Sequence, residues 1–211
     1  MLLIAHRTPD SASACAALHQ AGADLFEVDV QLRHGTLVVS HYAPLARTGL
    51  QRDNWRLRWG DRNLPELAPR LAAVPAAARV LLDPKERTPE ARNALVDALI
   101  ERLSDRERFV VSTGSEPCLR RLSAAGFETW HSIGDRAGLQ RFLANGPSGA
   151  KAATVRHTLL DAGTLAALRA IVGTVIAWTV NDIVRADELA RLGVEGVTTD
   201  RVRVMRHLTG R

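Results

Sequence analysis

Glu27 and Asp29 lie two residues apart in the run Phe26-Glu27-Val28-Asp29-Val30. In a β-strand that spacing puts both carboxylates on one face and the three apolar side chains on the other. Carboxylates held side by side repel unless a cation or a shared proton sits between them. Such hard oxygen donors suit Mg²⁺ or Ca²⁺ far better than Zn²⁺. A solvated polar strand face is the competing reading of the pair. Asp83, a third carboxylate closing the apolar run Val80-Leu81-Leu82, argues against it. His6 and His41 also follow strand-like runs, and two imidazoles near neutral pH can divide the work of proton acceptor and proton donor. Arg7 and Lys85 add fixed positive charge of the kind that meets a phosphate. Together these residues point to cation-assisted acid/base chemistry on a phosphate ester.

The elements that must bring them together are short. Strand-like runs occur at Leu2–Ala5, Leu25–Val30, Val80–Leu82, Phe109–Val111, Glu128–Trp130, Ala153–Val155, Val175–Trp178 and Gly196–Thr198. Helical spacing lies between them, notably over Glu90–Leu103, Glu116–Ala125, Asp161–Ile171 and Asp182–Leu192. Asp10 or Ser11 precedes the first helix as a start signal, and Gly22, Gly126 and Gly193 follow others as stops. Eight strands alternating with helices define an α/β chain folded as a (β/α)8 TIM barrel, expected as one domain over residues 1–211. After the second strand, His34-Gly35 predicts a hairpin-like extension whose return strand is Thr36–Ser40. The stretch Leu45–Leu71, with Trp55 and Trp59, reads as irregular and suited to a lid. A barrel places its working residues where strands end. Those ends carry His6, Arg7, Glu27, Asp29, His41, Asp83, Lys85, Ser112, His131, Arg156, His157, Trp178, Asn181 and Asp200. For Ser112, His131 and His157, packing is the preferred reading.

Composition narrows the alternatives. With 46% apolar and 24% charged residues in 211, the chain can bury a core and is not disordered. The net charge of +5 comes from arginines scattered among acids and alanines, without the aromatic–basic pattern of nucleic-acid binding, so no nucleic-acid partner is expected. Cys15 and Cys118 have no metal or disulfide spacing and read as small buried hydrophobes. No apolar run approaches the ~20 residues of a membrane span, and the first residues do not resemble a signal peptide, so the expected location is the cytoplasm.

Ile4-Ala5-His6-Arg7, Gly22 to Val30, Leu37 to His41 followed by Pro44 to Thr48, Ala177 to Asn181, and Gly193 to Arg201 occur in an order and spacing that resembles the glycerophosphodiester phosphodiesterase family. That family is related to the phosphatidylinositol-specific phospholipase C-like barrels. The resemblance runs from residue 2 to about residue 201. It implies acid/base histidines at His6 and His41, metal carboxylates at Glu27, Asp29 and Asp83, phosphate-facing cations at Arg7 and Lys85, and Trp178 beside the leaving alcohol. The implied reaction is hydrolysis of a small glycerophosphodiester to an alcohol and glycerol phosphate with a divalent cation, Mg²⁺ or Ca²⁺. The chain departs from the family pattern at Thr8 (usually Gly), Pro9-Asp10-Ser11 (usually Pro-Glu-Asn), Tyr42 (usually Asp) and Asp83 (usually Glu). These departures leave two other readings open: a lysolipid phospholipase D of sphingomyelinase D-like type, and a degenerate barrel that binds a phosphorylated ligand without turnover. Neither residue pattern nor resemblance sets the oligomeric state.

Overall fold

The computed structural model describes residues 1–41 and 64–210, together with the backbone of Ala43–Leu45, Leu50–Asp53 and Arg56–Trp59. The chain begins with β1 (Leu2–Ala5), α1 (Ala12–Gln20) and β2 (Leu25–Arg33), and turns back as β3 (Thr36–Val39). Three short strands follow, β4 (Ala43–Leu45), β5 (Leu50–Asp53) and β6 (Arg56–Trp59), then α2 (Leu67–Ala73). Strand and helix then alternate: β7 (Arg79–Pro84), α3 (Pro89–Arg102), β8 (Phe109–Thr113), α4 (Glu116–Ala124), β9 (Glu128–Ile133) and α5 (Arg136–Asn145). The series ends with β10 (Ala152–Arg156), α6 (Ala162–Arg169), β11 (Thr174–Trp178), α7 (Ile183–Leu192), β12 (Gly196–Thr199) and α8 (Val202–Thr209). Strand β1 pairs in parallel with both β2 and β12, so β1, β2 and β7 to β12 close a ring of eight. This is the expected (β/α)8 barrel, and all eight predicted strands are present, each end within three residues of its expected place.

Period-two alternation divides each strand between two environments. Outward residues such as Leu3, Phe26, Val28, Val30, Val80, Leu82, Val111, Val155, Val175 and Val197 are buried under the helices. Inward residues fill the barrel in layers. The lower layer is apolar: Ile4, Leu25, Leu81, Val110, Trp130, Ala152 and Ile176. Gly196 completes it, because a Cβ there would stand 2.6 Å from Ile176 Cδ1 and 3.0 Å from the Leu2 Cβ. Two residues further along each strand the inward positions turn polar, to His6, Glu27, Asp83, Ser112, Ser132, Thr154, Trp178 and Thr198. The lower layer is therefore a plug, and everything polar is pushed to the C-terminal mouth.

Helix starts follow capping chemistry. Ser11, Thr88, Asp135, Asp161 and Asp182 each accept a backbone N–H of the first turn of α1, α3, α5, α6 and α7. Cys15 of α1 and Cys118 of α4 are both free thiols on the buried sides of their helices, as their isolation predicted. No helix among the described residues is long and apolar enough to cross a membrane.

The extension after β2 is a true hairpin. Residues Val30 to Arg33 pair antiparallel with Val39 to Thr36, and His34 and Gly35 supply the two positive φ angles, 49° and 78°, that a tight two-residue turn requires. The irregular reading of Leu45–Leu71 is corrected. Strands β4, β5 and β6 pair antiparallel as a separate three-stranded sheet, and α2 fills the end of the stretch. Runs of three or four residues such as Ala43–Leu45, Leu50–Asp53 and Arg56–Trp59 are too short to separate strand from loop by pattern. Trp55 and Tyr42 lie outside the described residues.

Candidate active site

A cavity of about 380 Å³ opens at the C-terminal end of the barrel, lined by His6, Arg7, Glu27, His41, Asp83, Lys85 and Trp178 among others. Strand register explains how residues so far apart in sequence meet there. Strands β2 and β7 pair in parallel with Asp29 opposite Asp83 and Glu27 opposite Leu81, so the three carboxylates share one inner face. One oxygen from each of Glu27, Asp29 and Asp83 lies within 4.8 Å of the others, and this is the one acidic cluster of metal-binding spacing among the described residues.

His41 arrives by the hairpin. Because β3 runs back down β2, the chain regains the height of the carboxylates: the Ser40 amide donates to the Asp29 carbonyl at 3.1 Å. The Gln31 side-chain amide, fully buried, donates to the Ser40 carbonyl at 2.8 Å and holds that end in place. His41 is thereby turned into the cavity beside Asp83.

The segment after β1 is anchored to the same cluster. The Arg7 amide donates to a Glu27 carboxylate oxygen at 2.7 Å, with Arg7 held in the left-handed region at φ 55°. A non-glycine residue in that region costs about 1–3 kcal/mol, a strain that persists only where neighbours over-determine it. Thr8 does so: it is buried, and both its amide, at 2.9 Å, and its hydroxyl, at 2.7 Å, donate to the Glu27 carbonyl. Thr8 is thus a clamp, and its hydroxyl adds a hydrogen bond to the loop that a glycine there would lack. Arg70 braces the segment from outside, bonding the Thr8 carbonyl and pairing with Asp10.

Burial and mutual repulsion dominate the electrostatics of the carboxylates. Burial, then the Asp29 charge, pushes the Glu27 carboxyl up to about 8, against the opposing pull of His6. Asp83 is also raised, by its withdrawal from water, although Lys85 works against this. The Lys85 ammonium lies 2.5 Å from Asp83 and 3.1 Å from Asp29. Burial alone would lower its pKa, but Asp83, Asp29 and Glu27 together raise it, so it stays charged. Arg7 Nε stands 4.0 Å from Asp29. Among the described residues, one ammonium and one guanidinium 4.0 Å away face three carboxylates, and the oxygen donor set fits Mg²⁺ or Ca²⁺.

His6 has a partner that strand-end reading named without assigning a role. Its Nδ1–H donates to Asp200 at 2.6 Å, and Asn181 in turn donates to the other Asp200 oxygen at 2.6 Å. This fixes the tautomer and leaves Nε2 as the nitrogen able to exchange a proton. Burial works to lower the His6 pKa, but the Asp200 hydrogen bond and the Glu27 charge outweigh it, and the net shift is upward. Asp200 is held down to about 2, chiefly by the His6 hydrogen bond. Its stabilisation is therefore present above the ordinary carboxylate range of about 4 and fades as pH falls towards 2. The contribution of His6 is full below about 6.5 and is lost as pH rises through its elevated pKa. Replacing Asp200 by Asn is expected to lower the His6 titration midpoint followed by NMR. The stability lost should be greatest between about pH 4 and 6.5 and should shrink at alkaline pH. An unmoved His6 midpoint would show that the pair does not set its basicity.

Of the remaining strand-end residues, Ser112 lines the cavity floor and shares a hydrogen bond of 2.9 Å with Thr154. His131 faces the helices, edge-on to Phe142 with ring centroids 4.8 Å apart, and burial lowers its pKa. His157 sits in the turn after β10, outside the cavity lining, its pKa lowered by burial and by Arg185 and Arg156. Ser112 thus faces the cavity instead of only packing, while His131 packs against Phe142 and His157 is half-buried outside the lining.

The fold and this mouth define a (β/α)8 barrel with an acidic cluster flanked by two histidines and two cations. No protein-family model matches the sequence, and no curated protein does. It resembles solved structures that include several phosphodiesterases. A phosphodiesterase of Oleispira antarctica, solved with its product sn-glycerol 3-phosphate, superposes with a TM-score of 0.74 at 17% identity over 99% of this chain and 97% of that one. A putative glycerophosphoryl diester phosphodiesterase of Silicibacter pomeroyi gives 0.75 at 18% identity over 100% and 93%. The glycerophosphodiester phosphodiesterase of Thermotoga maritima gives 0.72 at 20% identity over 100% and 97%. At such identities the likeness establishes the barrel architecture.

Proposed function

We propose that this chain is a divalent-cation-dependent phosphodiesterase that hydrolyses glycerophosphodiesters to an alcohol and glycerol phosphate. The observation that carries the reading is the convergence of Glu27, Asp29 and Asp83 within 4.8 Å, in a cavity that His6, His41, Arg7 and Lys85 also line. The structures it resembles include one holding sn-glycerol 3-phosphate, which supports a small glycerol-bearing substrate.

In this reading Glu27, Asp29 and Asp83 hold Mg²⁺ or Ca²⁺, which supplies Lewis-acid stabilisation of the charge on the phosphate. Charge then closes: three carboxylates and a diester carry four negative charges, matched by a divalent cation, Arg7 and Lys85. Arg7 and Lys85 bind non-bridging oxygens. One histidine takes the proton of the attacking water as the new P–O bond forms. The other gives a proton to the leaving alkoxide as the old P–O bond breaks. Trp178 lines the side where the alcohol departs. The clamp made by Thr8 and the inclusion of Asp83 in the cluster weigh against a degenerate binding barrel.

The test is phosphorus NMR of glycerophosphoglycerol and of lysophosphatidylglycerol incubated with the protein and either cation. Growth of a glycerol phosphate signal from the first, with little turnover of the second, is expected. Turnover confined to the lysolipid would make this a lysophospholipase D.

A further inference from the structure

The inward series of β10 does not stop at the cavity floor. Ala152 belongs to the apolar plug and Thr154 lines the cavity, and the same alternation carries Arg156 to the rim. In the strand register Arg156 stands opposite Trp178, the last residue of β11. Its guanidinium carbon lies 5.4 Å from the centre of the Trp178 ring. The indole reaches past β10 towards the end of β9, since a Cβ placed on Gly134 would meet its Cη2 at 3.6 Å. Trp178 therefore spans part of the mouth with Arg156 seated over it.

Arg156 differs from the other cations of the mouth. Arg7 and Lys85 are directed at the acidic cluster. Arg156 is exposed, and among the described residues no carboxylate pairs with it; the His157 imidazole, whose pKa burial and then Arg185 and Arg156 lower, is beside it in the chain. A tryptophan face beside a phosphodiester is where a quaternary ammonium would bind by cation–π attraction. Here a guanidinium already stands over the ring and repels a second cation. A guanidinium set over a ring still presents its N–H edges, which match the two oxygens of a carboxylate or phosphate.

We infer that Arg156, seated on Trp178, is a specificity-determining residue that selects diesters whose alcohol carries an anionic group and disfavours alcohols bearing a quaternary ammonium. The inference rests on the phosphodiesterase reading and names the substrate class of the same site. Arg156 does not touch the phosphorus in this scheme; it reads what lies beyond the leaving oxygen.

Three diesters joining sn-glycerol 3-phosphate to glycolate, glycerol or choline separate the possibilities, with kcat/KM measured for the wild type, Arg156→Gln and Arg156→Lys. The wild type is expected to favour the glycolate diester over the choline diester by about tenfold or more. Arg156→Gln should collapse that ratio, mainly through KM, and Arg156→Lys should keep part of it. Equal or greater activity on the choline diester, or an equal change in all three after Arg156→Gln, overturns the inference while leaving the phosphodiesterase reading intact. If the folded wild type hydrolyses none of the three, that reading fails and the inference falls with it.

Discussion

Replacing His6 or His41 by alanine is expected to slow phosphodiester hydrolysis by about 10²- to 10⁴-fold while the barrel stays folded. Both side chains stand in the polar layer of the mouth, above the apolar plug and inside the helix shell, so neither supports the core. His6→Ala also leaves Asp200 without the hydrogen bond that holds it ionised, and this variant should lose some stability between about pH 4 and 6.5. His41 is positioned by backbone contacts through Ser40, so His41→Ala should keep the hairpin. The measurement is steady-state turnover with circular dichroism on the same samples. Near-wild-type rates in both folded variants would remove the acid/base assignment.

The second large effect concerns the cation. Asp29→Asn keeps the shape of the side chain and removes a charge that lies opposite Asp83 and 3.1 Å from Lys85. It should weaken Mg²⁺ or Ca²⁺ binding by about 100-fold or more, since even residues behind the ligands cost 10- to 100-fold. At a cation concentration near 100 times Kd, binding stabilises the folded state by about 2.7 kcal/mol. For a chain of this length that raises the Tm by roughly 5–10 °C. The wild type should show this rise and Asp29→Asn should not. A shift of the same size in both proteins would place the cation elsewhere.

Much of the site was legible from local pattern, and what was not depends on strand register. Glu27 and Asp29 declare a shared face through their spacing alone. Asp83 is visible because it ends an apolar strand, yet its position opposite Asp29 is a pairing across 54 residues that no local signal encodes. The His34-Gly35 turn announces a hairpin, and the return of His41 to the level of the carboxylates follows from pairing antiparallel strands. Asp200 and Arg156 were readable only as polar strand ends. Their roles come from contacts with His6 and Trp178 that exist once β1 meets β12 and β10 meets β11. The stretch from residue 45 misled for the opposite reason: strands of three or four residues carry too little periodicity to be seen. The helices α5 and α8 are not among those singled out from the sequence, although Val204 and Met205 of α8 are fully buried.

The most direct measurement is the rate of bis(p-nitrophenyl) phosphate hydrolysis before and after EDTA, followed by addition of Mg²⁺ or Ca²⁺. If Glu27, Asp29 and Asp83 hold a working cation, EDTA abolishes hydrolysis and one of the two ions restores it in the wild type but not in Asp29→Asn. Hydrolysis that continues undiminished in EDTA would contradict the reading of this mouth as a cation-assisted phosphodiesterase site.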